Sequence, residues 1–589
     1  MSQHSNQPDW DNVIHHVPHS RCFDLAQTRP SLEIPGTMTT AGASQFPETK
    51  TVRAPHRFRH FSRPLLALAA CLALVSTPAH AAEDATPTDS KTYSERAAAK
   101  FTAADYTGAI VDSTRAIELD PSHAGDFRIR GMARIQKNEL AQAVTDLSQA
   151  IKLDPRDSVA HMWLGIAELA KDNIEGAAAE STKALQLNSQ LAIAYTTRAC
   201  AKCAKDDNDG AISDATEALT LDPQLASALA TRGRAKSKKG DYNEAIMDLS
   251  KAIAIEPSEF SAYDSRGECL DKIADHEGAI ADYTKAIELH PKDAHSYFLR
   301  GGSKYAKKDF SGAITDWSTV IELTPKDWHA YSLRGIAKAK TGDRNGAITD
   351  CTKAIELGSN NPAAYAARGL AKEGNGDIGG AIVDFTKAIE LNAQLHTERA
   401  GPFEERAVAR LRMKDIRGAL VDLSKAIELD PKNSSAFWSR ARAKVMNGEY
   451  EGARNDFKKT IQLAKESDTV AYARFHYFLL NLRLKYPQSL SDFKTAVHGW
   501  TDDWKKSVGL FLASEIDEAA FLSLAANGDP SKVREFLCEA FYYAGMLRLL
   551  NGDANGAQLL FEKCLTTEVN NFVEFDFAGA ELARLRAKH

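Results

Sequence analysis

Residues Asp384–Leu391 read DFTKAIEL, and the same stretch returns along the chain with small changes. Asp282–Leu289 reads DYTKAIEL, and Asp422–Leu429 reads DLSKAIEL. A fixed period of this size indicates stacked supersecondary units, so a domain count based on length does not apply. Further copies, most of them 34 residues apart, start at Asp112, Asp146, Asp214, Asp248, Asp316 and Asp350.

The residue that closes each copy gives the number of units. Nine of the ten intervals between closing residues are 34 residues long, which predicts eleven units over residues 90–466. The remaining interval holds four extra residues near His396–Gly401. The closing residues are Pro121, Pro155, Ser189, Pro223, Pro257, Pro291, Pro325, Ser359, Ala393, Pro431 and Lys465.

The pattern within one unit predicts a helical hairpin. In the unit that ends at Pro325, Tyr297 and Gly301 lie four residues apart, and so do Ala313 and Trp317. This is the period of a helix rather than of a strand. The small residues allow close approach of the two helices, and the proline ends the second one.

These positions resemble the tetratricopeptide repeat (TPR) family. They are an aromatic residue, a small residue, an Ala with its bulky partner, a second Ala such as Ala388, and the closing Pro. The resemblance covers residues 90 to about 466. It implies an all-α TPR superhelical solenoid of about eleven regular hairpins, with a concave groove that binds peptide or protein partners.

The tail, residues 467–589, is predicted to be a helical cap that contains one degenerate twelfth repeat. Gly545 and Phe561 reproduce the offsets of the regular units. Two stretches, Glu539–Gly545 (EAFYYAG) and Asn571–Glu574 (NFVE), are similar to the C-terminal part of bacterial envelope TPR lipoproteins. That resemblance implies an adaptor for peptidoglycan hydrolases and a periplasmic protease.

The N-terminal region has the order of a secretory signal peptide over residues 56–81. A basic run comes first, the apolar run Leu65–Val75 follows, and small residues end at Ala81. The apolar run is too short to span a bilayer, so we expect cleavage after Ala81 and an exported, periplasmic or secreted protein. Lipidation at Cys71, which follows Leu-Ala-Ala, is an alternative, and so is a false signal.

Two short regions flank this signal. Residues 1–55 have no sustained periodicity and are predicted to be a disordered leader, or the product of a start codon placed too early. Met38 is the alternative start. Residues 82–89 form a polar linker before the first repeat.

A recurrent Arg precedes the small residue in ten of the eleven units, where TPRs usually carry an apolar residue. An Asp recurs in the second helix. The favoured interpretation is a structural ladder of Arg–Asp pairs, within or across repeats, because a structural contact recurs in every unit and a ligand site does not. The alternative is a basic stripe for an anionic glycan or peptidoglycan. The predicted ladder includes Arg300, Asp316, Arg334, Asp350, Arg368 and Asp384.

The predicted partner-binding residues lie on the first helix of a unit, which lines the groove in TPRs. Aromatic and Arg side chains are the commonest anchors of protein interfaces. The candidates are Arg128, Phe298, Tyr305, Trp438 and Arg442.

Composition excludes some functions and leaves others open. The net charge of −6 gives no basic stripe for nucleic acid. No nucleotide-binding loop, zinc-protease motif or serine-hydrolase motif is present, so we expect no enzyme, cofactor or metal site. Cys200 and Cys203 form a single CxxC, which favours two small groove residues over a redox pair or half of a zinc site.

The sequence therefore predicts a non-enzymatic interaction scaffold of the bacterial cell envelope. Its partners are proteins or peptides, and membrane contact is expected only if Cys71 is lipidated. A glycan binder, a cytoplasmic scaffold and an accessory subunit of an enzyme stay open. The identity of the partner and the oligomeric state do not follow from the sequence.

Overall fold

A computed structural model describes residues 89–464, 468–486, 490–569 and 572–587. The predicted leader, signal peptide and Cys71 lie outside the described residues, as does the linker up to residue 88. Within these ranges the regular structure consists of 29 helices and no strand, which confirms the predicted all-α class. The chain divides after Pro325 into two compact units. None of the described helices is both long and apolar enough to cross a membrane.

The first unit, residues 89–325, contains seven hairpins. Each odd-numbered helix packs against the even-numbered helix that follows it. The helices are α1 Ser90–Thr102, α2 Tyr106–Leu119, α3 Ala124–Gln136, α4 Leu140–Leu153, α5 Ser158–Ala170, α6 Ile174–Leu187, α7 Ala192–Ala204, α8 Asn208–Leu221, α9 Ala226–Lys239, α10 Tyr242–Ile255, α11 Phe260–Lys272, α12 His276–Leu289, α13 Ala294–Ala306 and α14 Phe310–Leu323.

The second unit, residues 326–587, contains four more such hairpins and the tail. The hairpin helices are α15 Trp328–Thr341, α16 Arg344–Glu356, α17 Pro362–Gly374, α18 Ile378–Gln394, α19 Ala400–Arg412, α20 Ile416–Leu429, α21 Ser434–Asn447 and α22 Tyr450–Leu463. The tail helices are α23 Asp468–Arg483, α24 Leu490–His498, α25 Asp503–Leu512, α26 Glu518–Ala526, α27 Val533–Leu550, α28 Ala554–Thr566 and α29 Val573–Arg586.

A short motif starts most second helices. In the α13–α14 hairpin, Lys308 turns the chain with a φ of 65°. Asp309 then caps α14 by accepting a 2.9 Å hydrogen bond from the N–H of Gly312. The cap requires the glycine, because a Cβ there would lie 2.2 Å from Asp309 Oδ2. Such caps contribute about 1 kcal/mol each. The same bond starts second helices at Asp105, Asp207, Asp275, Asp343, Asp377, Asp415 and Asp553.

The two helices of a hairpin meet where a glycine faces a bulky side chain. Trp317 of α14 is fully buried and lies over Gly301 of α13. Its indole N–H donates a 3.2 Å hydrogen bond to the carbonyl of Phe298, so the buried polar group is satisfied. In the α27–α28 hairpin, Gly545 faces the buried Phe561 in the same way, which is the packing of the degenerate twelfth repeat.

An Arg–Asp pair joins the two helices in ten of the eleven regular hairpins, as the α13–α14 hairpin shows. Arg300 donates two hydrogen bonds to the buried Asp316, from Nε at 3.0 Å and from Nη2 at 2.7 Å. Lys304 adds a second cation, 2.9 Å from the same carboxylate. Because Arg300 Nη1 also donates to Thr284 at 3.1 Å, the guanidinium links its own hairpin to the second helix of the preceding one. The ring of Tyr297 lies beneath the guanidinium, 5.5 Å from its carbon.

Among the residues that the structure describes, the bidentate pair is found ten times and joins residues sixteen positions apart. The pairs lie within one hairpin, which is the arrangement that the sequence left open. They are Arg96–Asp112, Arg130–Asp146, Arg198–Asp214, Arg232–Asp248, Arg266–Asp282, Arg300–Asp316, Arg334–Asp350, Arg368–Asp384, Arg406–Asp422 and Arg440–Asp456.

The α5–α6 hairpin is the exception to the ladder. Leu164 occupies the Arg position and Glu180 the Asp position. His161 replaces the aromatic residue and lies 2.6 Å from Glu180 through Nδ1. Ten of the thirteen residues of α5 are buried, so this hairpin substitutes apolar packing for the ion pair.

The four extra residues lengthen a helix and a loop. Helix α18 has 17 residues, against 13 or 14 in the other second helices of the regular hairpins. It continues to Gln394, and His396 then turns the chain with a φ of 52°. The insertion therefore leaves the Arg406–Asp422 pair of the next hairpin intact.

Asp316→Ala should destabilise the first unit, because Arg300 and Lys304 stay partly buried without their carboxylate. We expect the free energy of unfolding to fall by up to about 3 kcal/mol, the lower end of the range for a broken buried pair, since water reaches both cations. Urea unfolding followed by circular dichroism measures it. Glu288→Gln removes the exposed Lys285–Glu288 pair and is the matched control, with no change expected. Equal midpoints for the two variants would contradict a structural ladder.

Gly301→Ala should destabilise the α13–α14 hairpin, because the new Cβ would lie 2.7 Å from Trp317 Nε1. Overpacking of this kind costs about 1–3 kcal/mol. Gly379→Ala is the control, since its Cβ would meet nothing within 4 Å. Thermal unfolding should give a lower midpoint for the first variant and an equal or higher one for the second. The reverse order would show that the close contact is not needed.

Candidate partner-binding surface

The first helices of neighbouring hairpins contact one another more closely than the second helices do, so they line one face of each unit. Three positions on each first helix, spaced by four and three residues, lie at these contacts. In α11 they are Asp264, Glu268 and Asp271. We call the surface formed by these positions and their counterparts the first-helix face.

The first-helix face changes character along residues 89–325. The face is apolar on α5, it carries small polar side chains on α7, it is acidic on α11, and it carries aromatic rings on α13. From α3 to α13 the positions hold Arg128, Met132 and Ile135; Met162, Ile166 and Leu169; Thr196, Cys200 and Cys203; Ala230, Arg234 and Ser237; Asp264, Glu268 and Asp271; and Phe298, Gly302 and Tyr305.

The acidic part of the face centres on Asp264. Its side chain is 6% exposed; Oδ2 accepts a 2.8 Å hydrogen bond from the Ser296 hydroxyl, and Oδ1 has no hydrogen-bond partner. Burial raises the pKa of Asp264 to about 7, with a further contribution from Asp293 and Glu268. A carboxylate with an unsatisfied oxygen is costly to bury, which favours a site with a role beyond packing.

Two side chains beside Asp264 reach solvent. Glu268 is 47% exposed at its side chain and His295 is 37% exposed, with Nε2 3.5 Å from Glu268 Oε1. Burial lowers the pKa of His295, but the hydrogen bond with Glu268 and the nearby carboxylates raise it above its ordinary value. By contrast, Asp271 is fully engaged, with hydrogen bonds from Tyr283 and Ser303.

A small pocket opens one hairpin earlier, between α7, α9 and α11. Its lining includes Cys200, Thr231, Arg234, Glu256 and Glu259. Burial raises the pKa of Glu256, and the charge of Glu259 adds to the effect. The pocket therefore combines one guanidinium with two carboxylates at the edge of the first-helix face.

The CxxC thiols lie in the interior of the α7 contacts. Thr231 donates its proton to the carbonyl of Ser227, so the 3.2 Å contact between Cys200 and Thr231 has the thiol as donor. Burial raises the pKa of both Cys200 and Cys203, which disfavours the thiolate. Within the described ranges no group of three or more His, Cys, Asp or Glu side chains is placed to hold a metal ion.

Two of the sequence-predicted anchors, Phe298 and Tyr305, are core residues. Tyr305 is 1% exposed and packs in its own hairpin, with its ring centroid 5.0 Å from that of Phe310. Phe298 is 6% exposed, and its carbonyl accepts from Trp317. The prediction that these two rings are available to a partner is wrong, because the close approach of the helices leaves them no route to solvent. Arg128 is partly exposed and lies 2.6 Å from Asp157.

The remaining two of the five predicted anchors, Trp438 and Arg442, are covered by the protein's own tail. Trp438 is 8% exposed and packs against His476 of α23, with ring centroids 6.0 Å apart. Arg442 lies 3.6 Å from Asp576 of α29. These positions are therefore on the predicted face, but the tail occupies it at α21, so the prediction that they are available to a partner is wrong.

Polar contacts hold α29 against α21, α22 and α23. Arg584 Nη2 donates 2.7 Å hydrogen bonds to the carbonyls of Val445 and Met446. The buried Glu581 accepts from Tyr450 at 3.1 Å and from Arg483 at 2.8 Å. The tail helix is thus docked by charge-assisted hydrogen bonds.

A second acidic group, which the sequence analysis missed, lies on α17 and α19. Burial raises the pKa of Glu405 well above its usual range, and the charges of Glu373 and Glu404 add to the effect. Glu404 accepts from Asn433 at 2.8 Å, and Arg412 lies 3.3 Å from Glu373. The sequence signal for them is a Glu where the α13–α14 hairpin carries an aromatic residue, since Glu373 and Glu404 occupy the positions of Tyr305 and Phe298.

Sequence profiles of the tetratricopeptide repeat match residues 130–192, 226–259 and 260–293. The chain therefore contains tetratricopeptide repeats, as its residue pattern predicts. The similarity of the tail to envelope adaptor lipoproteins stays a prediction.

Three solved structures illustrate the similarity. MamA is 28% identical over 27% of this chain and 93% of its own, with a TM-score of 0.26. YrrB, described as a TPR protein with an unusual peptide-binding site, is 25% identical over 32% of this chain and 98% of its own, with a TM-score of 0.30. Yeast Tom70 is 16% identical over 69% of this chain and 98% of its own, with a TM-score of 0.30. TM-scores of this size do not transfer a function.

Asp264→Asn should change how stability depends on pH. The folded-state pKa of about 7 lies above the ordinary aspartate pKa of 3.8, so the wild type binds this proton more tightly when folded. Its stability should fall as pH rises from about 4 to 7, by at most about 4 kcal/mol. The variant lacks this titration, so its melting temperature relative to the wild type should rise between pH 4 and pH 8. Glu217→Gln, at an exposed position, is the control. A difference that stays constant with pH would contradict the raised pKa.

Proposed function

We propose that this protein is a protein–protein interaction scaffold that binds a peptide or protein segment on the first-helix face of residues 89–325. The observation that carries the proposal is the contrast between constant and variable positions. The Arg–Asp pairs, the Asp caps and the Gly–aromatic contacts recur from hairpin to hairpin and are used for folding. The first-helix face differs from hairpin to hairpin although its positions lie at helix contacts, and Glu268 is the member on α11 whose side chain reaches solvent.

The chemistry of the face indicates what it would bind. On α11 and α13 the face carries Asp264, Glu268 and Asp271 and no Lys or Arg. Glu268 is the exposed member, and Asp293 lies nearby. A partner segment with a Lys or Arg side chain opposite Glu268 would complement this charge. Complementary charge of this kind contributes mainly specificity and association rate.

The second unit offers less of this face. Its last regular hairpin is covered by α29, through Arg442 and Arg584. Glu404 and Glu405 on α19 are the remaining acidic candidates. The first unit is therefore the primary partner-binding surface in this proposal.

We place no reaction in this chain. The thiols of Cys200, Cys203 and Cys351 are buried. Burial raises the pKa of Cys200 and Cys203, and it raises the pKa of Cys351 to about 12. Activity from the purified chain would overturn this part of the proposal.

We also propose that the scaffold works in the bacterial cell envelope. The basic, apolar and small-residue order of residues 56–81 supports export, with cleavage after Ala81 or lipidation at Cys71. The similarity of Glu539–Gly545 to envelope adaptors supports the same location. Intact-mass measurement of the mature chain distinguishes the two N-termini, and retention of Leu65–Val75 would favour a cytoplasmic scaffold.

An anionic glycan is the second candidate ligand. The observation in its favour is the ladder, where one buried carboxylate meets two cations and leaves one positive charge in most hairpins. The outer cation is partly exposed, at 33% for Lys100 and 20% for Lys304. Binding to purified peptidoglycan that survives high salt would favour this candidate over a protein partner.

Site-specific crosslinking in the native cell tests the proposed surface. A photoreactive amino acid in place of Glu268 should crosslink to a partner protein, because this position is exposed on the first-helix face. The same amino acid in place of Glu288, exposed on the second helix α12, is the matched control. We expect a specific protein adduct from the first position and at least tenfold less from the second, read by mass spectrometry. Equal labelling, or no adduct at Glu268, would contradict the proposed face.

A further inference from the structure

Two buried cysteines meet inside the hairpin of the tail. Cys538 of α27 and Cys564 of α28 have their Sγ atoms 3.4 Å apart, and both side chains are fully buried. They come from facing helices and are 26 residues apart in sequence. The two sulfurs are thus in direct contact across a helix interface, without a bond between them.

We propose that Cys538 and Cys564 form an intramolecular disulfide that links α27 to α28. The thiolate of one cysteine attacks a disulfide of an oxidant, either a small-molecule disulfide or a thiol–disulfide oxidoreductase, and releases one oxidant thiol. The thiolate of the second cysteine then attacks the sulfur of the first cysteine in this mixed disulfide and releases the second oxidant thiol. The pair loses two protons and two electrons, and the oxidant disulfide becomes two thiols.

The local environment supports this exchange. The Cys564 thiol as donor lowers the pKa of Cys538, while the same bond raises the pKa of Cys564. A lower pKa increases the thiolate fraction, and the thiolate is the form of a cysteine that takes part in disulfide exchange. Because both sulfurs are buried, the oxidant reaches them during folding or when this hairpin opens locally.

The pairing is specific among the described cysteines. Cys200 directs its proton to Thr231, and Cys203 lies three residues further along the same helix. Cys269 and Cys351 are each buried in a separate hairpin. Among the cysteines that the structure describes, a sulfur–sulfur contact is found between Cys538 and Cys564.

The bond would stabilise the part of the tail that supports α29. Cys564 also lies 3.9 Å from the carbonyl of Glu574, at the start of α29. Tyr543 on α27 donates a 2.8 Å hydrogen bond to the Glu574 carboxylate. A covalent link between α27 and α28 therefore joins the two helices that contact the start of α29. It would stabilise their folded arrangement by restricting the conformations of the unfolded chain.

Peptide mapping of the full-length chain tests the proposal. The protein is incubated with a mixture of oxidised and reduced glutathione, both folded and during refolding from urea. It is then alkylated in denaturant and digested with trypsin without reduction. Residues 535–548 and 564–584 are tryptic peptides with one cysteine each. We expect them to be recovered linked, with two hydrogens less than their summed mass.

Thermal unfolding gives a second readout. The oxidised chain should have a tail transition higher by about 4–16 °C than the reduced chain, since a disulfide contributes about 2–4 kcal/mol and each kcal/mol raises the midpoint by about 2–4 °C. Cys538→Ser should lose both the linked peptide and this shift, whereas Cys200→Ser should keep both. Separate alkylation of the two cysteines under both incubations, or linkage to other cysteines instead, would overturn the proposal. This result does not depend on the scaffold function, whose test is crosslinking on the first unit.

Discussion

A buried carboxylate between two cations is the constraint on which the repeat structure depends. Asp316 is 2% exposed, and a bare carboxylate at this depth would be unstable. Arg300 and Lys304 supply the compensating charge from the facing helix, and Arg300 also bonds Thr284 of the preceding hairpin. One cluster therefore fixes three helices, and its recurrence fixes the same relation of helix to helix along each unit.

The buried Arg–Asp cluster limits which residues can differ between hairpins and so take part in partner binding. The side chains that satisfy the buried Asp and pack on the hairpin glycine cannot change without loss of stability, so they carry little information about a partner. The first-helix face varies more between hairpins, and on α11 it carries Asp264, Glu268 and Asp271, where the other hairpins of the first unit carry no carboxylate. The burial of Asp264 beside the exposed Glu268 gives that segment a distinct charge, which supports the proposed binding surface.

The tail is built differently from the repeats. Its core contains many aromatic rings, such as Phe475 and Tyr543, whose centroids are 5.6 Å apart. It also buries carboxylates, including Glu539, which accepts hydrogen bonds from Tyr472 and Trp504. These contacts join helices far apart in sequence. The last regular hairpin is therefore packed against the tail and does not end at solvent.

The sequence by itself determined the helical hairpins, their period and the residue types of the ladder, while the structure decided that each Arg pairs with the Asp of its own hairpin. The hairpins, the period and the residue types are local properties: Asp309 and Gly312 lie within one turn, and Arg300 and Asp316 recur at a fixed separation in nearly every copy. Tertiary structure decided which residues are available. Tyr305 has the composition of a binding anchor, yet the packed hairpin buries it, and Arg442 is covered by Asp576, 134 residues away. The contact between Cys538 and Cys564 has the same origin, because side-chain burial and long-range contacts depend on how helices pack and not on the spacing of residues along one of them.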